Sequence, residues 1–173
     1  TLSLHDALPI LYKSLTGNTR QVAEAIRDAL GGEEIVYFGE PKPDIVADLY
    51  FVGSWTDKGS CDGTVGEYLK QLEGKKLAVF GTAGYGGSRE YYQKLACRVT
   101  ECVPDTSEVL GSFYCQGKMP IGVRNRYVAM LREHPEDQKL NASVKNFDEA
   151  LSHPDEKDFA DARQWAQTMV DAV

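Results

Sequence analysis

Two unbroken apolar runs, Asp48–Ser54 (DLYFVGS) and Lys76–Gly81 (KLAVFG), constrain this chain more than any other feature. A strand with one wet face alternates apolar and polar residues, so a run without polar positions needs cover on both faces. Between the two runs, Thr64–Leu72 carries Val65, Tyr68, Leu69 and Leu72 at helical spacing. Strand, helix, strand, with both strands buried, describes one unit of a parallel sheet.

The remainder extends that unit. From Thr19 an apolar stripe of Val22, Ala25, Ile26, Ala29 and Leu30 predicts a helix, stopped by Gly31-Gly32. Glu34–Phe38 (EIVYF) and Glu108–Cys115 (EVLGSFYC) read as strands. A helix is expected from about Ser88 to Val103, with Tyr92, Leu95, Val99 and Cys102 or Val103 inward. Another is expected from about Pro154, with Phe159, Ala162, Ala166, Met169 and Val173 on one stripe. The order predicts an α/β fold: a doubly wound five-stranded parallel sheet with helices on both faces and a ligand site at the carboxyl ends of the strands. A segment at about 117–152 breaks the alternation. Its IGVRNRYVAMLREHP is helical, NFDEALSHP is a short helix, and Arg124, Arg126 and Arg132 fall close together. It reads as an inserted surface segment covering a sheet edge, with a docking patch for a partner as the alternative.

The first residues do not fit. TLSLHDALP has no matching period, and Pro9 interrupts the expected strand. Residues 1–9 read as a non-native leader resembling a translated sequencing adapter, with the domain running over 10–173. Leu8, Ile10, Leu11 and Tyr12 then stand in for the first strand.

The formal net charge of −7 argues against nucleic-acid binding, which needs a basic face. No apolar run approaches the roughly 20 residues that span a bilayer, and a cytoplasmic monomer is the expectation. Cys61, Cys97, Cys102 and Cys115 form no C-x-x-C pair, so zinc and dithiol chemistry are weakly supported. Cys61 is the more exposed candidate thiol, and Cys115 reads as a buried apolar residue.

Three loops carry the chemistry. Ser14–Thr19 (SLTGNT) joins a strand to a helix N-terminus, where free amides and the helix dipole attract an anion. Gly17 permits a tight turn, and Ser14, Thr16, Asn18 and Thr19 add donors. No G-x-x-x-x-G-K-[ST] or G-x-G-x-x-G string occurs, so the loop suits one terminal phosphate and not a triphosphate or dinucleotide. The second loop, Gly53–Gly63 (GSWTDKGSCDG), offers Trp55. The third, Gly81–Ser88 (GTAGYGGS), offers Tyr85 among glycines. One aromatic from each of two loops at one edge can sandwich a planar ring.

YKSLTGNTRQVAEAI, LYFVGSWTDKG and LAVFGTAGYGG together resemble the flavodoxins, over roughly residues 8–116 and again in the last helix. The resemblance implies strand order 2-1-3-4-5 and non-covalent FMN. Its phosphate would sit in Ser14, Leu15, Thr16, Gly17, Asn18 and Thr19. Its ring would lie between Trp55 and Tyr85, flanked by Ser54, Thr56, Asp57 and Gly59, with its pyrimidine edge against Thr82, Ala83, Gly84, Tyr85 and Gly86. Gly59 would be a hinge whose peptide could turn a carbonyl to the ring. The third loop departs from the family in its glycine content and lacks the usual acidic residue, and Lys58 puts a cation near the ring. GSFYCQGKMP, NRYVAML and NFDEALSHPDEKDF resemble a narrower group from anaerobic gut bacteria, the flavodoxin-like accessory proteins of bilirubin reductase.

The function expected is an FMN-binding electron carrier or accessory subunit serving a partner reductase. The alternatives are an FMN-dependent NAD(P)H:quinone-type oxidoreductase and a flavodoxin-like module with weak or lost flavin binding. A phosphate site without a cation, in an acidic chain, predicts a strongly reducing flavin.

Overall fold

A computed structural model describes residues 7–173; residues 1–6 of the expected leader lie outside them. Six strands and six helices follow one another: β1 (Ala7–Lys13), α1 (Asn18–Ala29), β2 (Glu34–Gly39), β3 (Leu49–Asp57), β4 (Ser60–Cys61), α2 (Gly63–Leu69), β5 (Lys76–Ala83), α3 (Arg89–Thr100), β6 (Glu108–Gln116), α4 (Ile121–Glu133), α5 (Gln138–Ala150) and α6 (Glu156–Asp171). The sheet order is β2-β1-β3-β5-β6, with parallel pairing throughout that path. These are the five strands expected, in the expected order. β1 takes in Ala7, Leu8 and Pro9, with a register shift between Leu8 and Pro9, and Leu8 is fully buried.

The apolar runs resolve into two alternating faces. Leu49 and Phe51 of β3 and Ala78 and Phe80 of β5 meet α1 and α6 through Val22, Ile26, Ala162, Ala166 and Met169. Tyr50, Val52, Leu77 and Val79 point the other way, onto Val65, Tyr68 and Leu69 of α2 and Val99 of α3. Period-two side-chain direction in a doubly covered strand thus accounts for runs with no polar position.

Two elements depart from expectation. The second loop is in part a hairpin: β3 continues to Asp57, turns through Lys58 and Gly59, and pairs back antiparallel with β4. Lys58 at φ 49° and Gly59 at φ 79° are both left-handed, the backbone of a two-residue primed turn. The inserted segment is a pair of helices, α4 and α5. The short helix read in NFDEALSHP is the end of the longer α5, which begins after Asp137; that side chain accepts from the amides of Lys139 and Leu140.

Candidate functional site

β1, β3 and β5 end side by side, so their following loops gather at one edge. Thr82, near the end of β5, ties them together. Its hydroxyl shares a 2.9 Å hydrogen bond with that of Thr19, and its carbonyl accepts from Thr56 Oγ1 at 2.8 Å. Thr19 and Thr82 are both buried.

In the first loop, Ser14 Oγ accepts from the amides of Gly17 (3.1 Å) and Arg20 (3.3 Å). Gly17 is the N-cap of α1 at φ 94°, with open space where a Cβ would stand. Gly17 offers no capping side chain, the Ser14 hydroxyl takes up only the Arg20 amide of the first turn, and no acidic residue occupies that turn. The rest of the first turn and the positive end of the helix dipole suit an external anion. Asn18 Nδ2 donates to Thr16 Oγ1 (3.1 Å) and to the Lys118 carbonyl (2.8 Å). The carbonyl acceptor fixes the amide's orientation. Asn18 Oδ1 is therefore a buried acceptor, and it has no hydrogen-bond partner.

In the second loop, Trp55 Nε1 donates to Asp62 Oδ2 at 2.9 Å, and Asp62 Oδ1 accepts from the Thr64 amide at 2.8 Å as the N-cap of α2. Burial pushes the Asp62 carboxyl up, but these hydrogen bonds outweigh it and hold it below the usual aspartate range. Buried Ser54 donates to the Trp55 carbonyl and accepts from the Asp62 amide. Cys61 is half-buried, and burial raises its thiol, so it is not an activated nucleophile. Burial also raises Cys115.

The third loop is held by the end of β6 and by the insert. Gln116 Nε2 and Asn146 Nδ2 both donate to the Gly84 carbonyl, at 3.1 and 3.0 Å. The Tyr85 hydroxyl lies 2.6 Å from Ser143 Oγ. A Cβ on Gly84 would stand 2.4 Å from Met119 Sδ, so any side chain there would have to displace Met119.

Together the loops and the insert enclose a cavity of about 760 Å³, within the range of a cofactor pocket. Of the residues expected there, Leu15, Thr16, Asn18, Trp55, Thr56, Gly59, Thr82, Ala83, Gly84 and Tyr85 line it. Ser14, Gly17, Thr19, Ser54, Asp57 and Gly86 are not part of its lining. Gly59 faces α3: its carbonyl accepts from Arg98 Nη1 at 3.2 Å. Sequence reasoning did not place Tyr91 of α3 in the wall, nor Gly117, Lys118, Met119, Pro120, Gly122, Val123 and Arg126 of the insert. Lys58, Lys118 and Arg126 give the lining three cations and no carboxylate. This differs from the uncharged setting read from the loop alone, because two of the three come from the insert. Arg124 is spent within the insert, on Asp148 at 2.8 and 3.2 Å.

Fold and site define a doubly wound α/β protein with an anion-ready loop and an aromatic cavity at the carboxyl edge of its sheet. The chain belongs to the flavodoxin-domain family, whose model matches residues 9–167. It is 34% identical over 168 residues to the flavodoxin-like domain-containing protein BilS of Clostridioides difficile (strain CD3), covering 93% of this chain and 94% of that protein. The protein of the same name from Clostridium symbiosum (strain WAL-14163) is 38% identical over 170 residues, covering 87% and 89%. Among solved structures, oxidised flavodoxin 2 from Bacillus cereus superposes with a TM-score of 0.60 at 19% identity, covering 96% of this chain and 99% of that one. That likeness speaks for the fold. No helix among the described residues is long and apolar enough to cross a membrane.

Proposed function

We propose that this chain binds FMN non-covalently and passes electrons to a partner reductase. One observation carries the reading: three chemistries meet in one cavity. The α1 N-terminus, with no acidic residue in its first turn and with Ser14 and Thr16 beside it, suits a phosphate. The unpartnered Asn18 Oδ1 is an acceptor for a hydroxyl, of which a ribityl chain has several. Trp55 and Tyr85 supply aromatic walls for a flat ring. FMN carries all three groups.

When bound, FMN supplies the redox chemistry, and the protein sets its position and surroundings. Asp62 fixes the Trp55 indole and Ser143 fixes the Tyr85 hydroxyl, so both walls are held by bonds from outside the cavity. Two anchored walls leave little room for a nicotinamide over the ring, which supports a carrier over an NAD(P)H:quinone oxidoreductase. The narrower resemblance in the sequence suggests a bilirubin reductase as the electron acceptor.

The visible spectrum of purified protein, with FMN added and then dithionite, tests the reading. Flavin bands that stay with the protein through gel filtration and bleach on reduction are the expected result. Colourless protein that retains no added FMN refutes it. Mixing the reduced protein with bilirubin reductase and bilirubin under anaerobic conditions tests the partner: consumption of bilirubin, followed by chromatography, is the expected result, and none refutes that acceptor.

A further inference from the structure

We propose that Lys118 supplies the cation that the phosphate loop lacks, and so makes the site select a phosphorylated flavin over the bare one. The assignment rests on the FMN reading above.

Three cations stand near the loop in sequence or in space. Lys13 Nζ lies 2.8 Å from Glu40 Oε1, and Arg20 Nε lies 3.1 Å from Glu24 Oε1. Both are paired, and neither lines the cavity. Lys118 does line it, with Leu15, Thr16 and Asn18 of the loop. Its ammonium makes no hydrogen bond or ion pair among the described residues.

Its backbone, by contrast, is pinned. The Lys118 carbonyl accepts from Asn18 Nδ2 at 2.8 Å, and its amide donates to the His153 carbonyl at 3.0 Å. The preceding residue is fixed too: the Gly117 amide donates to the Ala83 carbonyl at 2.9 Å, and a Cβ there would stand 2.6 Å from Asn18 Nδ2. The main chain of the insert is thus locked against the phosphate loop, and only the side-chain stem remains free. A compact ammonium with three rotatable donors suits a phosphate monoester. The other two cavity cations are placed elsewhere: Lys58 in the turn after β3, Arg126 on α4. The loop's missing lysine therefore arrives from about a hundred residues away, matching the separation of 100 between Asn18 and its Lys118 partner.

The test compares FMN with riboflavin, which lacks only the phosphate. Apoprotein is titrated with each, and quenching of flavin fluorescence is followed. Wild type should prefer FMN. Lys118→Met should lose about 10- to 100-fold in FMN affinity, the value of a hydrogen bond to a charged group, and keep its riboflavin affinity. Lys118→Arg should retain the preference. Lys145→Met, which removes an exposed charge on α5, should match wild type. Should Lys118→Met fail to fold, Lys118→Gln carries the same comparison, and its FMN binding should fall off less steeply with rising salt than that of wild type. Equal FMN affinity in Lys118→Met and wild type overturns the proposal. So does an equal loss for both flavins, or equal salt slopes. Wild type that quenches neither flavin sinks the FMN reading itself, and this assignment with it.

Discussion

Replacing Thr19 with valine should cost far more than one hydroxyl on a surface would. The Thr19 and Thr82 hydroxyls lie 2.9 Å apart, and the two residues are 0% and 3% exposed. Thr19→Val leaves the Thr82 hydroxyl buried without that partner, and Thr82→Val does the same to Thr19. Each stranded hydroxyl costs about 1–3 kcal/mol. The double variant strands neither, so its cost should fall well below the sum, with a coupling of about 1–3 kcal/mol.

Urea unfolding of the apoprotein, followed by circular dichroism, measures all three against wild type. The slopes should agree, so that midpoints report stability. Because Thr82 also accepts from Thr56, the single variants loosen the phosphate loop and both aromatic loops together. FMN affinity should drop in each and partly recover in the double. Additive costs, or single costs below about 0.5 kcal/mol, would mean that the hydroxyl pair is not what joins the loops.

Three other substitutions follow from close approaches and charge. Gly53→Ala places a Cβ 2.1 Å from Phe80 Cε2 in the core, and should cost at least about 1–3 kcal/mol in urea unfolding, part of it regained with Phe80→Leu. Gly117→Ala drives a Cβ to 2.6 Å from Asn18 Nδ2, so FMN titration should show weaker binding, and unchanged affinity would mean that the close approach of insert and phosphate loop does not matter to the site. Asp62 is held below its ordinary value of 3.8 in the fold, so its stabilisation is complete above that value and is lost as pH falls through the folded value. Trp55 emission should therefore shift in acid in wild type, and Asp62→Asn should abolish that dependence; an acid shift that survives in the variant would place its cause elsewhere.

The features that announce themselves locally were legible. Apolar runs and 3.6-residue stripes gave the five parallel strands and the helices of both faces, because burial on a sheet writes a repeating pattern into the chain. The three loops were legible because each follows a strand and the fold brings strand ends together. What escaped depended on pairing over distance. The β4 strand is two residues long, and its turn sets non-glycine Lys58 at φ 49°, which only the following Gly59 hinted at. Gly84, Gln116 and Asn146 meet across separations of 32, 30 and 62 residues, and no local period records that meeting.

The segment that broke the alternation therefore changes the chemistry of the site. On the loop sequence alone, an anion site with no cation in a chain of net charge −7 implies repulsion of a reduced, anionic flavin. The insert brings Lys118 and Arg126 to the same cavity that holds Lys58, with no carboxylate in its lining. Charges in the wall of a partly desolvated cavity outweigh a more distant acidic surface that salt screens beyond about 8–10 Å. The field at the ring is then set by the lining and not by the net charge. An anionic flavin bound there would be favoured, and the reducing power inferred from the first loop would be moderated by residues that the first loop does not contain.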